Sequence, residues 1–198
     1  MKTGAVVTAA GMSSRMNAFK PMLEIGCESA VRRIILTLKQ AGAKPVVLIT
    51  GNSAELLEKH VEDLGVVCLR NARYAETQMF DSAKIGLSYL SGKCARILFT
   101  PVDIPLFTLK TVKKLLETDA SVAVPFCGGH EGHPLLLSAE AAEKILAYSG
   151  EGGLAGAIES GGLKKLCVSV EDEGVLYDMD TRQDYERLLE LNKKRNRQ

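Results

Sequence analysis

Thr8-Ala9-Ala10-Gly11-Met12-Ser13-Ser14-Arg15-Met16, with Lys20-Pro21-Met22-Leu23 close behind, is the stretch on which the reading of this chain turns. It follows a short apolar run at 4–7 that predicts a first β-strand. Small residues at 8–11 let a ligand approach the backbone, and successive N–H groups in such a turn form a concave anion site. Arg15 adds a planar fork of donors suited to phosphate oxygens, and Lys20 adds a mobile point charge. A strand end, a small-residue turn and two cations make a cradle for a polyphosphate. The stretch is neither the Gly-Lys-Ser/Thr phosphate loop nor the G-x-G-x-x-G dinucleotide fingerprint, so an oxidoreductase of the latter kind is not expected. An ordinary strand-to-helix loop carrying surface charges is the alternative.

Outward from this loop, strand-like runs alternate with helix-period segments. Strands are predicted near 4–8, 45–50, 66–69, 96–100 and 122–125. Helices are predicted near 30–41, from Ser53 to about Asp63, and at 82–90 and 109–117. In the first helix, Val31, Ile34, Ile35 and Leu38 share a face and Gly42 ends it. Past Pro125 the pattern loosens. A glycine-rich turn at 127–132 precedes short strands at 134–137, 166–170 and 175–178, interleaved with helices at 140–148 and 154–159. Thr181-Arg182-Gln183-Asp184 resembles a capping box opening a last helix over 182–191. The alternation predicts an α/β fold with a three-layer, Rossmann-like, mostly parallel sheet, whose ligands sit at strand C-termini. One domain over 1–198 is expected, with a nucleotide-binding part at about 1–125 and an acceptor-side subregion at about 126–175.

With 198 residues and a net charge of +1, the chain is long enough to bury a core and too balanced to suggest a nucleic-acid or membrane partner. Met1-Lys2-Thr3 runs straight into a strand, so no leader is expected, and no apolar run approaches the ~20 residues of a membrane span. Five scattered cysteines (27, 68, 94, 127 and 167), without a C-x-x-C pair, read as reduced thiols of a cytoplasmic protein.

Three further motifs carry chemistry. In Pro101-Val102-Asp103-Ile104-Pro105 the prolines stiffen the chain around one carboxylate, and a fixed Asp at a strand end can hold Mg²⁺ directly or through water. In Asp178-Met179-Asp180-Thr181 period-2 spacing puts both carboxylates on one side of an extended segment, although Asp180 and Thr181 also serve as a helix start. Gly132-His133-Pro134 lies in a loop whose glycines suggest mobility. Cys127, His130 and His133 hint at zinc but lack a fourth ligand. Thr50-Gly51-Asn52 ends the second strand and can border a base. Ser82, at a predicted helix start, is either a donor to a base or ribose or a helix cap.

The 9–16 segment A-A-G-x-S-x-R-M, followed by K-P-x-L, resembles the signature loop of the MobA-like nucleotidyltransferases, above all their molybdenum cofactor cytidylyltransferase branch. The resemblance runs from Gly4 to Leu188, with four motifs in order. It implies the nucleotide-diphospho-sugar transferase type of fold and a nucleoside triphosphate held by Ala9, Ala10, Gly11, Ser13, Arg15, Lys20, Gly51 and Ser82. It also implies Mg²⁺ on Asp103 and Asp180, and His133 facing the acceptor. Arg15, Lys20 and Asp103 are then the catalytic set. The implied reaction is CTP plus molybdopterin giving molybdopterin cytosine dinucleotide and pyrophosphate, with a molybdoenzyme or insertion chaperone as protein partner. Another phosphate acceptor, such as a sugar or alcohol phosphate, and a non-catalytic cofactor-binding chaperone are the alternatives. The chain departs from the family pattern at Asn17 and Gln78, where glycine is usual, at Asp81, where a small hydroxyl residue is usual, and at Arg182, where proline is usual.

Overall fold

The computed structural model describes residues 2–12, 16 and 18–195. The elements are β1 (Thr3–Thr8), β2 (Glu24–Ile25), β3 (Glu28–Ser29), α1 (Ala30–Gln40), β4 (Val46–Thr50), α2 (Ala54–His60), β5 (Val67–Arg70), α3 (Met79–Leu90), β6 (Arg96–Pro101), α4 (Leu109–Leu116), β7 (Val122–Cys127), β8 (His130–Glu131), β9 (Leu135–Ser138), α5 (Ala139–Ala147), α6 (Gly153–Ser160), β10 (Lys165–Ser169) and α7 (Arg182–Arg195). The main sheet has the order β10-β7-β9-β6-β1-β4-β5, with β8 hairpinned onto β7. Only β9 runs against the other strands of that path, pairing antiparallel with both β6 and β7.

Both sheet faces are covered, which gives the three layers. The apolar run of β1 splits by period two: Ala5 and Val7 join Ile34, Leu38, Val112 and Leu115 on the face under α1 and α4. Val6 joins Ala83, Leu87, Ala141 and Ile145 on the face under α3 and α5. This two-sided burial is why the strand reads as a continuous apolar run rather than an alternating one. In α1 the Ser29 hydroxyl caps the helix by accepting from the Arg32 N–H, and its predicted stripe is fully buried.

Residues 175–178, expected as a strand, instead follow a single 3-10 turn at Glu173–Val175. The apolar Val175 is there buried in the core under α4 rather than paired in a ladder. The 127–132 stretch, expected as a glycine-rich turn, is a tight hairpin. Gly128 and Gly129 both take positive φ (57° and 89°), the pair of conformations that a two-residue hairpin turn requires.

Candidate functional site

β1 and β6 lie side by side and parallel, with Thr8 opposite Pro101, so the loops that follow them open at the same edge. Here the chain order reverses: β4 and β5 continue on one side of β1, and β6 lies on the other. Such a reversal leaves a crevice at the strand C-termini. A cavity of about 230 Å³ occupies it, lined by Thr8 to Gly11, Lys20, Tyr74, Ser82 and Asp103. Lys20 opens a 3-10 turn at Lys20–Met22 that Pro21 stiffens. Its Nζ stands 2.7 Å from Asp180 Oδ1 and 3.9 Å from Asp103 Oδ2. Residues 103 and 180 thus meet across one ammonium. Ser13 and Arg15, and the departure at Asn17, lie outside the described residues.

Asp103 Oδ1 and Thr8 Oγ1 are buried at this cavity without a hydrogen-bond partner among the described residues. Burial pushes the Asp103 carboxyl up; Lys20 opposes this, and Asp180 and Asp178 add to it. The Asp178 carboxyl is likewise raised, by burial and then by Asp180. A buried acceptor with no donor is a costly arrangement unless a ligand completes it.

A second cavity, about 440 Å³, adjoins the first and shares Gln78 and Met79 with it. Its walls are mainly apolar, with Phe80, Phe99, Leu135 and Ile158, and an ion pair between Glu131 and Lys165 forms part of its lining. His133 faces it, ring edge to Phe99 at 6.1 Å between centroids. Burial brings its imidazolium pKa down to about 4, against a weaker opposing hydrogen bond with the Phe99 backbone. The ring is therefore neutral at pH 7, and its Nδ1 is buried without a hydrogen-bond partner among the described residues.

Gly51 does not line the first cavity. It stands one layer behind, where a Cβ would come within 2.8 Å of the Ala10 carbonyl oxygen and 2.7 Å of Tyr74 Cβ. Ser82 does line it, but from inside α3 rather than at its start, and its hydroxyl already accepts from Asn71 Nδ2 at 3.0 Å. α3 begins three residues earlier because Gln78 is its cap: the Asp81 carboxylate accepts the Gln78 N–H at 2.9 Å. The two departures from the family pattern are thus one capping box. Tyr74, at the turn before that helix, carries no motif of its own in the sequence, and the structure sets it in the first cavity wall.

A model of the MobA-like NTP transferase domain matches residues 5–166. The chain belongs to that family. It is a nucleotidyltransferase, with cytidylyltransferases among its relatives. The molybdenum cofactor cytidylyltransferase of Escherichia coli strain K12 is 25% identical over 183 residues, 91% of this chain and 92% of the relative. A nucleotidyl transferase from Methanothermobacter thermautotroptrophicus superimposes with a TM-score of 0.85 at 21% identity, covering 98% of each chain. A Mycobacterium tuberculosis H37Rv protein solved as a manganese complex gives 0.74 at 21% identity, covering 96% of this chain and 99% of its own. As a MobA-like fold, the chain places both cavities at the expected edge of a mostly parallel sheet. No helix among the described residues is long and apolar enough to cross a membrane.

Proposed function

We propose that this chain, as a single domain, is a divalent-metal-dependent cytidylyltransferase that moves CMP from CTP to the phosphomonoester of a molybdopterin-type acceptor, releasing pyrophosphate. The observation that carries this reading is the Asp103–Lys20–Asp180 cluster on a crevice beside the β1 loop. An acceptor phosphate oxygen attacks the α-phosphorus, the bond to the bridging oxygen of the β-phosphate breaks, and that oxygen leaves with pyrophosphate. The chain needs no nucleophile of its own, so its task is alignment and charge neutralisation.

The donor set fits a magnesium-like ion. Asp103 has an orphaned buried oxygen, and no group of three His, Cys, Asp or Glu converges among the described residues. Mg²⁺ prefers one or two carboxylates completed by phosphates and water over an all-protein cage. Asp103 and Asp180 would hold it, and when bound it lowers the cost of bringing two anionic phosphates together. Lys20 spans both carboxylates and is placed to take charge growing on the pyrophosphate. The Ala10 and Gly11 backbone supplies amides for the triphosphate, since the Ala9 N–H already donates to the Ile49 carbonyl at 2.9 Å; Ser13 and Arg15 follow in sequence, and Gly51 keeps Ala10 and Tyr74 close together. The A-A-G form of the loop supports CTP over GTP.

The second cavity is then the acceptor pocket. Its apolar walls suit a flat heterocycle, and the neutral His133 Nδ1 suits a ring N–H, which a simple sugar or alcohol phosphate lacks. The deciding experiment is pyrophosphate release from CTP or GTP with molybdopterin, a sugar phosphate or an alcohol phosphate as acceptor. Release with CTP and molybdopterin is expected. Release only with a simple phosphate ester keeps the chemistry and moves the acceptor. Tight binding of the finished dinucleotide with no release makes the chain a cofactor carrier.

A further inference from the structure

We propose that Arg195, in the last turn of α7, is a positioning residue that sets the two metal-site carboxylates through Asp172; this rests on the metal-dependent reading above. Asp172 is 4% exposed, so its charge must be answered inside the protein. Its Oδ2 accepts from the Thr108 N–H at 2.8 Å, the Thr108 hydroxyl at 2.9 Å and the Thr111 hydroxyl at 2.6 Å. Its Oδ1 accepts from the Gly174 N–H at 3.2 Å and from Arg195 Nη2. The other guanidinium nitrogen, Nη1, donates to the Leu106 carbonyl. One ion pair therefore grips the segment that follows Asp103 and the segment that leads to Asp180.

The two segments are pressed together between these points. A Cβ on Gly174 would lie 2.3 Å from the Leu106 carbonyl oxygen and 2.8 Å from Arg195 Nη1, so only glycine fits the crossing. Nearer the site, the Met179 N–H donates to the Asp103 carbonyl at 3.0 Å, tying the neighbour of Asp180 to Asp103 itself. The same crossing reaches the second cavity, since the His133 N–H donates to the Val175 carbonyl at 3.0 Å. Leu106 and Met179 also share a small buried cluster with Leu188 of α7. That apolar contact fastens α7 to both segments. The ion pair adds direction: a planar fork with one prong on the Asp172 carboxylate and the other on the Leu106 carbonyl fixes register as well as distance. One side of the crossing, with Asp172, Gly174, Met179, Leu188 and Arg195, lies beyond residue 166, where the family match ends.

The test compares Arg195→Met, Arg195→Lys and Asp172→Asn with Arg96→Met. Arg96 makes a similar tie, to the Leu116 carbonyl at 2.8 Å, but at the N-terminal end of β6, away from the site. Each variant is assayed well below its own melting temperature for pyrophosphate release, Mn²⁺ affinity by electron paramagnetic resonance, and hydrogen exchange over 101–108 and 172–181. Arg195→Met and Asp172→Asn should lower kcat roughly 10–100-fold, the scale of misplaced reacting groups. They should weaken Mn²⁺ binding about tenfold or more, leave KM for CTP within about threefold, and speed exchange in both segments. Arg195→Lys should recover part of each loss, and Arg96→Met should show none of them. The inference is overturned if exchange in the two segments is unchanged by Arg195→Met and Asp172→Asn, or if Arg96→Met loses kcat and Mn²⁺ affinity in parallel. A wild-type protein that neither binds Mn²⁺ nor releases pyrophosphate overturns the functional reading instead, while exchange still decides whether the clamp orders the segments.

Discussion

Asp103 concentrates more conflict than any other side chain near the cavity. It keeps one oxygen near Lys20 and the other buried without a donor among the described residues, and burial disfavours its charge. Such a group costs stability and persists for function. Asp103→Asn should cut turnover by about 10²-fold or more while leaving the thermal midpoint unchanged or higher. Retention of near-normal activity in saturating Mg²⁺ would remove it from the metal site. His133 gives a prediction in pH. Its folded-state pKa, about 4, lies below the ordinary 6.5, so between those values the unfolded chain binds a proton that the folded chain refuses. Its contribution to stability is therefore complete above about pH 6.5 and is lost as pH falls toward 4. Urea midpoints measured from pH 7 to 4.5 should fall less steeply in His133→Gln than in the wild type. His133→Ala should also raise KM for the acceptor and leave that for CTP nearly unchanged. None of this conflict was legible in G-H-P or in P-V-D-I-P, because burial is a property of the fold and not of the motif.

Helices and strands followed the sequence where periodicity was strong and strayed where local chemistry was read one residue type at a time. The α1 stripe and its Gly42 border stand as expected, and the structure adds Ser29 as the cap at its start. The start of α3 does not: Ser82 looked like a cap because it is a serine before an apolar run, yet Gln78 and Asp81 cap the helix together. What read as two separate faults against the family pattern is one compensated feature, and only coordinates reveal that the faults touch. Asp81→Ala should cost about 1 kcal/mol of stability, the usual worth of a lost cap, with far less effect on kcat than Asp103→Asn. A loss of turnover matching Asp103→Asn would return Asp81 to the chemistry. The 181–184 box was read correctly: the Asp184 carboxylate accepts the Thr181 N–H at 2.9 Å, and the Thr181 hydroxyl accepts the Asp184 N–H at 3.2 Å. The strand expected at 175–178 failed because apolar residues that fill a core and those that pair in a ladder look alike over so short a run.

For the molecule as a whole, the layered sheet and the strand C-terminal edge where the first cavity opens were legible from alternation alone, while the convergence of residues 20, 103 and 180 was not. Long-range contacts of that kind are set by topology, and the reversed β9 strand that helps close the sheet had no distinct signal. Binding should read out on global stability. At 100 times its Kd, Mg-CTP should add about 2.7 kcal/mol, which is roughly 5–10 °C for a chain of this size. Mg-GTP at the same concentration should add clearly less, and an equal or larger shift with GTP would overturn the preference for CTP. The bond between Lys20 and Asp180 spans 160 positions, so a ribosome adding ~5–20 residues per second places the second partner roughly 8–32 s after the first. From about the middle of that interval an emerging polypeptide holds both Lys20 and Asp103 but has no counterpart from the other end of the chain. On the metal-dependent reading birth order works as a safety catch: a chain terminated before Asp180 should release no pyrophosphate, and release by such a truncated chain would remove Asp180 from the chemistry.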